Sequence, residues 1–194
     1  GLANALHVKA NSLQSLGKLS ESLIPCVKAL DIYEAVPDIY GMATSYYYLG
    51  AIYDSMGNYE DALSNFSFSL KIREDIGDRF GISEALNQIG IVHWKQSNHV
   101  EGTKQLFKAL KIEEETGDKL GMAVSYNIIG NINSNLGNYD DAIKYYQLAQ
   151  DICKLLERKK GLVSSYYNIG IIHYELNNFE AALENHLNAL KLSN

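Results

Sequence analysis

This sequence has little of what staples, anchors or catalyses. Its 194 residues include two cysteines, Cys26 and Cys153, and no Cys-x-x-Cys or His-x-x-x-His spacing. That argues against a disulfide framework and a metal site, and two unpaired thiols fit a reducing, cytoplasmic compartment. No apolar run approaches the roughly 20 residues of a membrane span. Positive charge is scarce. The formal net charge is -6, which disfavours a broad nucleic-acid footprint. The longest basic run, Arg158-Lys159-Lys160, is too short for a polybasic membrane signal and reads as a solvated inter-helix loop. There is no P-loop, no Ser-His-Asp order and no paired-carboxylate motif. The expectation is a protein without catalysis, cofactor, nucleic acid or membrane. Gly1 in place of Met and the abrupt stop at Asn194 read as the ends of a piece of a longer polypeptide.

What is present is a glycine every 40 residues. Gly50, Gly90, Gly130 and Gly170 each follow Leu or Ile, and Gly41, Gly81, Gly121 and Gly161 keep the same period. A fixed period of this length signals an array whose core runs continuously from repeat to repeat. The expected organisation is one array over 1–194, with repeats near 3–42, 43–82, 83–122, 123–162 and 163–194.

Within 43–82, Tyr46, Leu49, Ile52, Tyr53 and Met56 form a stripe at helical spacing. Gly57 and Asn58 then offer a positive-φ stop and a cap. A second stripe follows, Tyr59, Ala62, Leu63, Phe66, Leu70 and Ile72, and ends at Gly77-Asp78. Each repeat is therefore two antiparallel helices, and strand turns every ten residues are absent. Gly50 lies in mid-helix, where glycine costs about 0.5–1 kcal/mol. The expected compensation is a close helix–helix approach, with Ser22, Ala62, Gly102, Ala142 and Ala182 as the facing small residues. The third pair should be the least regular, since Ser97-Asn98-His99 lacks the turn glycine and Gly102 falls inside its second helix. Pro25 should disturb the second helix of the first pair.

Tyr46-x-x-Leu49-Gly50-x-x-Tyr53 with Gly57-Asn58-Tyr59-x-x-Ala62-x-x-x-Phe66 resembles the tetratricopeptide repeat (TPR). Tyr126-x-x-Ile129-Gly130 with Gly137-Asn138-Tyr139-x-x-Ala142-x-x-x-Tyr146 does so again. HEAT and armadillo repeats share the period without this Gly/Ala pattern. The usual repeat has about 34 residues and commonly ends in proline. Here Glu34, Glu74, Glu114 and Lys154 stand there, so the extra residues lengthen the helices. This long variant is similar to repeats of kinesin light chain, the Pins/LGN polarity adaptors and bacterial signalling proteins, including Rap-type regulators, transcription activators, histidine kinases and nucleotide cyclases.

The resemblance implies an all-α solenoid of about five helix-turn-helix repeats in a right-handed superhelix, its first helices lining a concave protein- or peptide-binding groove. It places Asn11, Tyr47, Asn87, Trp94, Asn127, Asn131, Tyr167 and Tyr174 there. The asparagines offer donors and acceptors to a peptide backbone, and the aromatics offer apolar area with a polar handle. Tyr46, Tyr126 and Tyr166 fall at core positions, as do His93 and His173. The chaperone-binding carboxylate clamp is disfavoured, because Lys95 stands against Asp54, Glu84 and Glu175. Two functions follow: a binding scaffold, or the regulatory region of a larger signalling enzyme or transcription regulator. Phe179, Leu183, Leu187 and Leu190 on the last helix add self-association as a further expectation.

Overall fold

The computed structural model describes residues 1–193. Among them the chain forms ten helices and no strand. They are α1 (Leu2–Ser15), α2 (Leu19–Ala35), α3 (Ile39–Ser55), α4 (Tyr59–Asp75), α5 (Arg79–Lys95), α6 (His99–Thr116), α7 (Lys119–Asn135), α8 (Tyr139–Leu155), α9 (Lys159–Glu175) and α10 (Phe179–Ser193). The period of 40 is two helices and two tight turns.

Every turn closes in the same way. The residue that opens the next helix donates its N–H to a carbonyl five residues back, as in Asn58 to Tyr53, Asp118 to Glu113 and Arg158 to Cys153, at 2.8–2.9 Å. In eight of the nine turns the residue just before the donor is left-handed, which favours this closure; between α2 and α3 Pro37 stands there and Asp38 still donates to Tyr33. Gly17, Gly57, Gly77, Gly117 and Gly137 supply the left-handed conformation, with φ between 71° and 76°. Ser97, Glu157 and Asn177 adopt it without being glycine, at φ 60°, 54° and 59°. Ser97 therefore preserves the turn of the third pair, and α6 runs unbroken through Gly102. Helix α2 likewise continues through the buried Pro25.

The first helices begin at Ile39, Arg79 and Lys119, four residues before the expected repeat starts at 43, 83 and 123. The cause is capping. The N–H groups of Gly41, Gly81 and Gly121 donate to the carboxylates of Asp38, Asp78 and Asp118 at 2.9, 3.0 and 2.9 Å. Each bond satisfies an amide that the first helical turn leaves without a partner.

The chain divides into two compact units, Gly1–Gln105 and Leu106–Asn194. In the first, Ala10, Cys26, Leu49 and Ile52 join α1, α2 and α3, and Ala62, Phe66, Ile89 and Val92 join α4 to α5. In the second, Ala142, Tyr146, Ile169 and Ile172 join α8 to α9, and Ala123, Cys153 and Leu162 join α7, α8 and α9. Burying one large apolar side chain contributes about 1.5–3 kcal/mol. Each unit is thus held by knitting every helix to the next.

The mid-helix glycines receive rings rather than small side chains. A Cβ at Gly50 would lie 2.7 Å from the Phe66 ring, and at Gly130 2.7 Å from the Tyr146 ring. A missing Cβ is the seat of an aromatic four residues beyond the small position. The small-residue approach does occur in the third pair, where a Cβ on Gly102 would lie 3.1 Å from the Gly90 carbonyl oxygen.

Candidate functional site

Successive first helices are bonded to each other by polar side chains, and this determines which site residues are free. In the first unit, His7 Nε2 lies 2.9 Å from Ser45 Oγ. Ser45 gives its own proton to the Gly41 carbonyl, so the imidazole donates here. Gln14 Nε2 donates to Ser55 Oγ at 2.9 Å, and Gln88 Nε2 to the Tyr47 hydroxyl at 3.1 Å. The Lys95 ammonium is 2.7 Å from the Asp54 carboxylate. The one cation expected on this face is thereby paired, which removes it as a carboxylate clamp.

The second unit repeats the scheme with different residues. Ser165 Oγ donates to Asn127 Oδ1 at 2.9 Å, while Asn127 Nδ2 donates to the Ala123 carbonyl at 3.0 Å. Asn131 Oδ1 accepts from the Tyr146 hydroxyl at 2.7 Å and from Asn168 Nδ2 at 3.1 Å. His7 and Asn127 hold the same place in the repeat, and each bonds a serine 38 residues further on. Both asparagine acceptors are thus engaged between helices, leaving the Asn131 Nδ2 group without a hydrogen bond among the described residues.

The remaining expected residues divide by exposure. Asn87 is buried, and Tyr47 and Trp94 are half-buried. The Tyr47 ring packs edge-on against Phe66, with the Arg73 guanidinium 5.4 Å from its centre. Burial raises the Tyr47 phenol above its ordinary value, and Glu84 adds to the rise. The Trp94 ring N–H is buried without a partner. Asn11 is exposed on α1. Tyr167 and Tyr174 are 54% and 60% exposed on α9, and Tyr174 meets Phe179 edge-on with centroids 5.7 Å apart. Tyr46 and Tyr126 sit half-buried, Tyr46 tilted against Phe68 and Tyr126 stacked on Tyr145.

Sequence reading missed one set. Tyr33, Arg73, Glu113 and Cys153 occupy one repeat position, beneath Gly41, Gly81, Gly121 and Gly161, and all four are buried. Glu113 is fully buried and accepts from Ser125 Oγ at 2.8 Å. The period of 40 carried the signal, since four chemically unlike residues recur under four glycines.

Among the described residues no cluster of three or more His, Cys, Asp or Glu side chains could hold a metal, and no helix is long and apolar enough to cross a membrane. Cys26 and Cys153 are free and buried, and burial lifts the Cys26 thiol to about 12.

No curated protein sequence matches this chain. Solved structures do. BtubC (BKLC) from P. vanneervenii superposes with a TM-score of 0.82 at 18% identity, over 97% of this chain and 78% of that one. Aspartyl phosphate phosphatase F from Bacillus subtilis gives 0.77 at 15%, over 98% of this chain and 59% of that one. A putative kinesin light chain from Podosopora anserina with TPR-like repeats gives 0.74 at 13%, over 98% and 94%. At these identities the likeness is one of fold. The family model for the tetratricopeptide repeat matches residues 1–75, 81–153 and 121–194, essentially the whole chain. With its ten helices in consecutive pairs, the chain belongs to the tetratricopeptide-repeat family.

Proposed function

We infer that 1–194 works as one TPR array, binding a protein or an extended peptide along its first helices, and that it performs no catalysis itself. The carrying observation is the pair of exposed tyrosines on α9, Tyr167 and Tyr174, together with the unspent Nδ2 group of Asn131 on α7, whose Oδ1 is bonded to Asn168 of α9. Tyrosine supplies large contact area at low entropic cost and is enriched in binding hot spots. A backbone carbonyl of a ligand suits the free amide donor, and Asn11, Tyr47, Asn87, Trp94 and Asn127 complete or support the surface. The setting is the cytoplasm, and the exposed α10 residues Phe179, Leu183, Leu187 and Leu190 add a face for self-association.

The test is selection of a displayed peptide library on the chain, then calorimetric titration of the selected peptide. Tyr174→Ala should weaken binding by at least about tenfold, or about 1.4 kcal/mol, with Asn131→Ala a little less. Lys144→Ala on α8 should change it little. Loss on Lys144→Ala with the other two unaffected would move the site to the opposite face. A second reading is favoured by the match to aspartyl phosphate phosphatase F, of which this chain spans 59%. In it the array is the sensory region of a larger signalling protein, and ligand binding changes the output of an attached domain.

A further inference from the structure

The second unit contains a cavity of about 480 Å³, within the roughly 300–1,000 Å³ of ligand pockets. Leu120, Ala123 and Val124 of α7 form its apolar wall, Asn127 lies beside them, and Cys153 lies at the end of α8. The rim is the turn into α9, where Arg158, Lys159 and Lys160 face a single carboxylate, Glu157.

The same place in the first unit is filled. Arg73 lies where Cys153 does, with its Nη1 2.9 Å from Glu84 Oε2 and its guanidinium over the Tyr47 ring. In the second unit Tyr47 becomes Asn127, Arg73 becomes Cys153 and Glu84 becomes Ser164. All three changes remove volume or charge from one space. The rim changes with them. Asp78, which caps α5, becomes Arg158, and α9 has no side-chain cap. Phe80 becomes Lys160. The repeat therefore lost its internal occupant and its internal anion together.

We propose that this cavity binds an aliphatic carboxylate, its chain against Leu120, Ala123 and Val124 and its carboxylate among Arg158, Lys159 and Lys160. The wall is aliphatic with no aromatic face, which favours an alkyl chain over a stacked ring. The buried thiol, raised by desolvation, stays neutral and does not repel an anion. The site is independent of the peptide-binding reading and stands or falls separately. An aliphatic carboxylate has two sources, a free acid or an acidic side chain next to an apolar one in a peptide.

The probes are octanoate, octan-1-ol and acetyl-Leu-Glu-amide, titrated into the whole chain by calorimetry and amide NMR. Octanoate should bind saturably at one site, shifting the amides of Val124 and Gly161, and at least about tenfold more tightly than octan-1-ol. Tighter binding of octanoate than of the dipeptide assigns a free acid, and the reverse order assigns a peptide side chain. Cys153→Tyr copies Tyr33 of the first repeat and should reduce octanoate binding at least about tenfold by filling the cavity. Arg158→Glu with Lys160→Glu, on the exposed rim, should do the same without touching the core. Equal binding of octanoate and octan-1-ol, no saturable binding, or unchanged binding in both variants would overturn the proposal.

Discussion

The niche between α3, α4 and α5 and the niche between α7, α8 and α9 are built on the same repeat, yet one is closed and the other open. In the first, Arg73 and Tyr47 fill the space, Glu84 pairs the guanidinium and Asp78 caps α5. In the second, Cys153 and Asn127 are too small to fill it, Ser164 in place of Glu84 offers no charge and Arg158 offers no cap. The difference teaches that the backbone of this repeat sets a place for an occupant, and that side-chain volume decides whether the protein supplies one. A repeat can thus gain a pocket while keeping its helices and turns.

The largest expected effect separates the two occupants. Arg73→Ala should destabilise the chain by about 2–3 kcal/mol, because a buried side chain leaves a hole. Its partner Glu84 is 59% exposed and strands little charge. Cys153→Ala, at the equivalent position, should cost less than about 1.5 kcal/mol. Urea unfolding of both variants checks this, and equal costs would break the comparison.

The glycines above the two occupants sharpen it. A Cβ at Gly81 meets the Arg73 guanidinium and the Asp78 carboxylate, both held by neighbours. A Cβ at Gly161 meets Cys153 Sγ, which has a cavity to turn into. Gly81→Ala should cost about 1–3 kcal/mol by overpacking, and Gly161→Ala less than about 1 kcal/mol. Melting temperatures of the two variants measure the gap.

Restoring the missing cap should act in the opposite direction. Arg158→Asp gives α9 the residue that caps α3, α5 and α7, and should stabilise by about 0.5–1 kcal/mol in thermal unfolding. A loss of stability would mean that Arg158 already serves the open niche.

The smallest effect concerns pH. His7 and Asn127 both bond a serine of the next first helix, but only His7 can take a proton. Burial lowers its pKa below the ordinary 6.5, so the unfolded chain binds the proton first. The contribution of His7 is present above about pH 6.5 and is lost as pH falls through the folded-state value. The urea midpoint should therefore drop more between about pH 7.5 and about pH 5.5 in the natural chain than in His7→Asn, which copies Asn127.

The helix pairs, their turns and the period were legible because glycine and apolar spacing are local signals. The start of α3 at Ile39 was not, because Asp38-Ile39-Tyr40-Gly41 carries a cap and no stripe. The sequence marks where Gly50 lacks a Cβ but not that the Phe66 ring occupies the gap. Among the residues placed on the groove, Tyr167 and Tyr174 are exposed. The engagement of Asn127 with Ser165 depends on the register between two repeats, which no single repeat reveals. Aligning His7 with Asn127 and Ser45 with Ser165 would have exposed it. Glu113 was missed for the same reason, since its burial comes from packing against a neighbouring pair.

The proposed binding surface is the first-helix face, with Tyr167, Tyr174 and Asn131 as its free groups. Its most direct test is an amide NMR footprint of a library-selected peptide on the whole chain. The account predicts shifts concentrated on α7 and α9, centred on Asn131, Tyr167 and Tyr174, with α8 residues Lys144 and Leu148 unmoved. A footprint centred on Lys144 and Leu148, with α9 unmoved, would contradict it.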